Sequence, residues 1–308
     1  MKGAMATTES GATGSPPTRR VIDVLNAVSE PDGGLTAADI ARRCGITTST
    51  CALIMNELHH LGVLTRDVDR RWHLGSGLLP VAEGLRKRYP LLGAGDRVVQ
   101  DLHSVLGASC SLSQIEPDSL VVTNIAGLAH DGDFVPGQRF PLTPPYGIVA
   151  MAWSGPPQIE SWLQSVEPKL SDSDIAEQLA ALAGVHDRGY GLWRLHESAP
   201  SLRDRLSQVM DAVAADRFAA SRLTQLLTMA TLQFVPADVA NPYIDAEFLV
   251  APVAFNDAGV PSHQVQIRLD PATRANLTAE KVVGALTAAS ERVANILGLR
   301  VAHYQAGK

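Results

Sequence analysis

Apolar residues recur at helical spacing from Arg19 to Val28, with Val21, Ile22, Leu25 and Val28 on one face, and the polar run SEPDGG ends that helix. Thr36 then offers a capping hydroxyl with Asp39 three residues on, and Ala38, Ile40, Ala41 and Cys44 carry the stripe of a second helix. Gly45 supplies a turn. Beyond it Ile46, Cys51, Ile54, Met55 and Leu58 resume the stripe on a third helix that starts at Thr47 and ends near Gly62. Val63 and Leu64, a polar turn from Asp67 to Arg70, then Trp72 and Leu74 predict two short strands and a hairpin tip. Three helices and a basic hairpin over residues 18–76 make a winged helix-turn-helix.

A further helical stretch, Gly77 to Arg88, is broken by Tyr89-Pro90, so residues 77–92 read as a linking helix. The pattern then becomes mixed. Leu91 to Leu106 predicts a helix, and ASCSLSQI and SLVVTNIA predict strands around a turn at Pro117 to Ser119. A loop rich in glycine and proline runs from His130 to a short apolar helix, Gly147 to Trp153. Helices are expected over Pro157–Val166 and Asp172–Ala183, a strand over Tyr190–Leu195, and two helices across Ser201–Leu232. Glu247–Phe255 and Val265–Leu269 flank the turn Asn256–Gly259 as a hairpin of central strands, and Thr278–Leu297 closes the chain as an amphipathic helix. The expected fold class is therefore α+β. A winged helix-turn-helix domain and its linking helix precede an α/β domain over residues 93–308, with a helical insertion around residues 197–240.

Composition supports two domains: 308 residues, 45% hydrophobic, are enough for two buried cores. Nothing approaches the roughly 18 consecutive apolar residues of a membrane-spanning helix, and residues 1–17 lack the apolar centre of a signal peptide. That leader is small and polar and reads as disordered, and the protein as cytoplasmic with no membrane partner. The formal charge is −6, unevenly spread. Residues 1–90 hold 11 Lys and Arg against 9 Asp and Glu, whereas the remainder holds 15 against 23. A weakly basic N-terminal module on an acidic partner suits a DNA reader whose second domain does something other than hold DNA. Cys44, Cys51 and Cys110 show no metal-ligand spacing and read as reduced core thiols.

The segment LTAADIARRCGITTSTCALIMNELHHLGVLTRDVDRRWHLGSGLL resembles the winged-helix signature of the IclR family of bacterial transcriptional regulators, with Ser49-Thr50 early in the third helix, Leu61-Gly62 at its end and Trp72-His73-Leu74-Gly75 after the wing. GQRFPL at Gly137–Leu142, Arg188-Gly189-Tyr190 and VAPVAFNDAGV at Val250–Val260 resemble landmarks of that family's GAF-like effector domain. The resemblance implies DNA binding as a homodimer or a dimer of dimers on a palindromic operator, controlled by a small organic or aromatic acid. Three departures stand out: Ala52 and Leu53 where the family often has basic residues, Pro144-Pro145-Tyr146-Gly147 before the short apolar helix, and the length of the helical insertion.

Two candidate sites follow. The open face of the third helix carries Thr47, Thr48, Ser49, Thr50 and Ala52, with Asn56 a turn later, short groups suited to base edges and phosphates. Arg19, Arg20, Thr36, Arg42 and Arg43 before it, and Arg66, Arg70 and Arg71 in the wing, are expected to meet phosphates or a minor groove. In the second domain, the amides of Gly147, Ile148 and Val149 are expected to hold an anionic group, Tyr146 to pack on the ligand, and Ser111, Ser113, Asn124, Glu247 and Phe248 to line the mouth. The alternatives are a winged helix used for protein contacts and an α/β domain with a filled core. No GxSxG, HExxH, P-loop or GxGxxG occurs in a suitable context, and His130-Asp131-Gly132-Asp133 reads as a surface turn. No catalytic residue, cofactor or metal is expected.

Overall fold

Pro16 and Pro17 occupy the first turn of the first helix, α1 (Pro16–Ser29), where a missing N–H leaves nothing unpaired, so the helix opens three residues before Arg19. We describe a computed structural model of the protein, covering residues 15–29, 33–127, 135–167, 169–195, 232–236, 239 and 242–305. The polar leader ahead of Ser15, the His130–Asp133 turn and the expected helices between Ser201 and Thr231 lie outside these residues. The chain divides into two compact units, residues 1–87 and 88–308.

In the first unit α1 is followed by α2 (Ala37–Arg43), α3 (Thr48–His60) and a hairpin of β1 (Leu64–Arg66) with β2 (Trp72–Leu74). Thr36 and Thr47 cap α2 and α3, each accepting a hydrogen bond from the amide three residues on. Ile40, Cys51, Met55, Leu58, Leu64 and Trp72 close over Val24 and Val28 as one core. Trp72 also exchanges two backbone hydrogen bonds with Leu35, which ties the wing back to the strand-like residue before α2. The wing's return needs glycine. A Cβ at Gly75 would stand 2.2 Å from the Gly62 carbonyl oxygen, so the chain ends of α3 and β2 pass closer than any side chain permits. A single 3-10 turn at Ser76–Leu78 leads into α4 (Leu79–Arg88), in which no residue is buried.

The second unit is a seven-stranded antiparallel sheet. After α5 (Asp96–Leu106) come β3 (Ser109–Ile115), β4 (Ser119–Ala126), β5 (Arg139–Pro141), the single turn α6 (Ile148–Met151), α7 (Pro156–Gln164), α8 (Asp172–Arg188) and β6 (Gly191–Leu195). β7 (Leu232–Phe234), β8 (Ala246–Phe255), β9 (Pro261–Arg268), α9 (Pro271–Arg274) and α10 (Ala279–Leu297) complete it. The strands lie in the order β5-β4-β3-β9-β8-β6-β7. Several features depart from the sequence-based expectation: α5 starts at Asp96 rather than Leu91, α8 runs five residues past Ala183, β5 forms inside the expected loop, Leu232 opens a strand rather than ending a helix, and β9 starts four residues before Val265. Each edge strand is three residues long, too short to carry a period-2 signal.

Helices cover both faces. On one, α5 and α10 bury Val98, Val99, Leu102, Leu286 and Val293 against Cys110, Leu112, Leu249, Ala251, Val265 and Ile267. On the other, α6 lies against β8 and β9, and two separate apolar clusters form. One gathers Ile148, Val149, Leu182, Val185 and Phe234 with Trp193 and Val250, the other Leu120, Val122 and Phe140 with Ile115 and Tyr146. No helix among the described residues is long and apolar enough to cross a membrane, and no group of three metal-ligating side chains occurs among them.

Candidate functional site

The inward stripe of α3 leaves Thr48, Ser49, Ala52, Leu53 and Asn56 exposed, so the face near its start carries no charge; Glu57, also exposed, follows toward its end. Thr47, the cap residue, also has its hydroxyl 3.1 Å from Ser49 Oγ and bonded to Thr50 Oγ1 at 2.9 Å, so both threonines are partly spent on the fold. Thr36 is occupied in the same way, donating from Oγ1 to Asp39 Oδ2 at 2.6 Å. That bond, with Arg42 alongside, holds the Asp39 carboxyl below its usual range. Arg19, Arg20, Arg42 and Arg43 are exposed on the first two helices.

The wing arginines divide by what they touch. Arg66 donates from Nε to the Arg70 carbonyl at 3.2 Å and lies 5.3 Å over the Trp72 ring. Arg71 donates from Nη1 to the Gly34 carbonyl at 3.2 Å. Both therefore brace the hairpin. Arg70 stands at the tip in the left-handed region, φ 63°, and its guanidinium bonds to no described residue. The bracing was not legible from the sequence, where all three arginines carry the same charge at nearly the same place.

In the sheet, register decides which expected residues meet. Ser113 pairs with Val122 and Gln264, and Ser111 with Ile125 and Gln266, all on the face that α6 covers. Phe248 shares that face through its pairing with Trp193 and Arg268. Two expected residues do not join them. A bulge between Leu112 and Ser113 puts Asn124 opposite Leu112, on the α5 side, where its Nδ2 donates to the Leu91 carbonyl at 3.2 Å and to Asp96 Oδ1 at 2.8 Å. Glu247 also faces away, because neighbours on a strand point to opposite sides, and it pairs with Arg274. Asn124 and Glu247 thus lie off the face that Ser111, Ser113 and Phe248 share.

Tyr146 stacks on Phe140 with ring centroids 5.1 Å apart, and its carbonyl accepts from Trp162 Nε1 at 3.0 Å. Gly147 takes φ 83° at the start of α6, and a Cβ there would meet Leu142 at 2.7 Å. The Ile148 and Val149 side chains are buried in the apolar cluster, so these residues reach a ligand only through their backbone. Between the two apolar clusters runs a polar strip: Ser111, Ser113 and Gln264 are 4, 6 and 5% exposed, and Ser111 Oγ and Gln264 Oε1 have no hydrogen-bond partner in the fold. Gln264 and Gln266 were absent from the expected site. Their signal lay in SHQVQIR, where polar residues alternate with apolar ones along a strand that the sheet then places at its centre.

Comparison with known proteins agrees with this layout. The sequence model of the IclR helix-turn-helix domain matches residues 17–68. The crystal structure of Thermotoga maritima IclR aligns over 91% of this chain and 98% of its own, with a TM-score of 0.53 at 15% identity. A Rhodococcus sp. RHA1 protein described as a transcriptional regulator aligns over 92% and 99%, with a TM-score of 0.50 at 15% identity. A third, an IclR homologue from Microbacterium hydrocarbonoxydans complexed with 4-hydroxybenzoate, covers 92% and 99% at 18% identity, with a TM-score of 0.49. No curated protein sequence is a significant match. Identities this low speak to fold. The chain therefore carries an IclR helix-turn-helix domain at its N-terminus and, over nine-tenths of its length, the fold of IclR-type transcriptional regulators.

Proposed function

We propose that the protein is a sequence-specific DNA-binding transcriptional regulator whose operator affinity is set by a small organic effector. The observation that carries this is the outer face of α3: Thr48, Ser49 and Asn56 stand exposed and uncharged, with exposed arginines before them on α1 and α2 and Arg70 at the wing tip. Short hydroxyl and amide groups read base edges at close range, and arginines outside the groove supply attraction through phosphate charge. Specificity and affinity thus come from different elements.

One such domain reads few base pairs, so the reading includes a homodimer, or a pair of dimers, on a palindromic site in the cytoplasm. The effector acts by population shift. A ligand that prefers one conformation of the sheet domain changes DNA affinity only by its preference between the two, and coupling of this kind spans about 5- to 150-fold. The effector class is a small organic acid or aromatic catabolite, held on the face of the sheet that α6 covers. The protein is a binding protein, with no turnover of that ligand.

The test is a mobility-shift titration on DNA flanking the protein's own gene, across a salt series. A specific complex that weakens steeply with salt is expected. A second reading, a winged helix that docks protein, is favoured by Leu53, 73% exposed beside Ala52 where a basic residue would strengthen DNA contact. Absence of any salt-sensitive, sequence-specific complex would decide for that reading.

A further inference from the structure

The polar strip at the centre of the sheet has an internal inconsistency as a purely structural element. Buried polar atoms in folded proteins almost always find partners. Here Ser111 Oγ and Gln264 Oε1, both on nine-tenths buried side chains, have none, and an apolar cluster lies on either side. Ser111 pairs with Gln266 and Ser113 with Gln264, so Ser111 and Gln264 are diagonal neighbours on one face, with Cα atoms roughly 7–8 Å apart. One small polar group set between them reaches both.

We infer that Ser111 and Gln264 select an effector by a group that both donates and accepts a hydrogen bond, a hydroxyl or a carboxamide on a largely apolar body, and not by a carboxylate. The inference rests on the effector reading above. Gln264 Oε1 only accepts, so its partner must donate; Ser111 Oγ–H serves the same group from the other side. An ionised carboxylate satisfies Ser111 and leaves two sets of lone pairs facing each other at Gln264. Arg268, opposite Ser109 and therefore diagonal to Ser111 on the same face, already has an interaction of its own, so a carboxylate there would have to compete for it. A neutral donor instead gives Gln264 Oε1 the hydrogen bond it lacks within the fold. Trp193, Phe248 and Val250 on the same face supply the apolar wall.

The experiment is calorimetric titration of the full-length protein with two matched pairs, phenol against anisole and benzamide against benzoate, repeated on Gln264→Leu and Ser111→Ala. Phenol and benzamide should bind about tenfold or more tightly than their partners, because a site built around a hydrogen bond rejects the analogue that cannot make it. Gln264→Leu should erase the preference while anisole still binds. Benzoate binding as tightly as benzamide, with Gln264→Leu changing nothing, overturns the inference and leaves the effector reading standing. Binding by none of the four overturns both. The melting temperature of ligand-free Gln264→Leu gives an independent check, since removing an unpartnered buried acceptor should leave it unchanged or raise it. A clear fall would show that Gln264 is satisfied within the fold, and overturns the inference.

Discussion

Asp67 and His73 meet across the wing hairpin, with Asp67 Oδ2 2.8 Å from His73 Nε2, while the other carboxylate oxygen accepts from the Arg71 amide at 2.8 Å. One side chain thereby fixes both strands of the wing. His73 in turn packs so close to Gly34 that a Cβ there would stand 2.4 Å from the ring. His73, and then the Arg71 amide, hold the Asp67 carboxyl below its usual range. A depressed carboxylate stabilises the fold above its unfolded pKa, about 3.9, and loses that contribution as pH falls through the lower folded value. The wing is therefore braced across the neutral range. Asp67→Ala should lower operator affinity about fivefold at pH 7 with the salt slope unchanged, since no phosphate contact is removed. A change in slope would place Asp67 in the DNA interface instead.

Arg70 makes the opposite prediction. It is the one non-glycine residue with positive φ among the described residues, a conformation that costs an L-residue roughly 1–2 kcal/mol. Arg70→Gly should relieve that strain, leaving thermal stability equal or higher by up to about 1 kcal/mol. The same change should reduce the salt slope of operator binding by about one unit. Arg66→Ala and Arg71→Ala should instead lower stability, because each removes a bond to a wing or pre-α2 carbonyl. Thermal melts and salt series on the three variants separate the roles, and an unchanged slope for Arg70→Gly would take the wing tip out of the DNA contact.

The first domain was readable because its signals are local. Ile40, Met55 and Leu58 fall at helical spacing, Thr36 and Thr47 announce helix starts, and Trp72 with Leu74 marks a return strand, all within 40 residues. The sheet was readable only as a set of strands. Had the register of Ser113 with Val122 continued past Thr123, Asn124 would have faced Ser111; one bulged residue turned it to α5. No local pattern marks that bulge, and the pairing of β3 with β9 spans about 150 residues of chain. Glu247 was a different kind of error. Placing it beside Phe248 in one site contradicts the alternation of a strand, and that was visible in the sequence.

Arg188 illustrates a residue whose importance the sequence showed only as part of a triplet. Its side chain is 5% exposed, donates from Nε to the Tyr190 carbonyl at 3.1 Å and from Nη2 to the Val235 carbonyl at 3.4 Å, and lies 4.8 Å over the Tyr190 ring. Burial pushes the guanidinium below its usual value. Gly189 beside it takes φ 86°, where a Cβ would stand 2.3 Å from the His303 carbonyl oxygen, so the junction admits no other residue. Carbonyls and a ring face compensate this charge, and only a planar fork reaches them together. Arg188→Lys should therefore destabilise more than Arg188→Met, which strands two carbonyls at a cost of about 1–3 kcal/mol but brings no charge inside. Urea unfolding of the two variants checks the order; a more stable lysine variant would mean that charge alone is what the site needs.

His263 supplies the clearest pH dependence. It is 6% exposed on the α5 and α10 face, with Nδ1 3.1 Å from Ser262 Oγ and Nε2 without a partner. Burial lowers its pKa from 6.5 to about 4. Between those values the unfolded chain takes up a proton that the folded protein refuses, so stability should fall as pH drops from about 6.5 towards 4. The loss over the whole window is on the order of 3 kcal/mol. The carboxylates with clearly shifted values act lower on the pH scale. Burial alone would raise Glu116, but Arg139 and Arg88 hold it below its usual value, and Asp39, Asp67 and Asp270 are depressed as well. Their contributions begin to fall near the unfolded carboxylate values, about 3.9 to 4.3, and are lost below them. His263→Leu, which keeps the site filled and removes the titrating ring, should flatten the stability profile between pH 7 and 4.5 and leave the acid limb in place. Urea denaturation at closely spaced pH values reads both regions in one series. If the variant kept the parent's slope above pH 4.5, the proton would have to be taken up elsewhere in the chain.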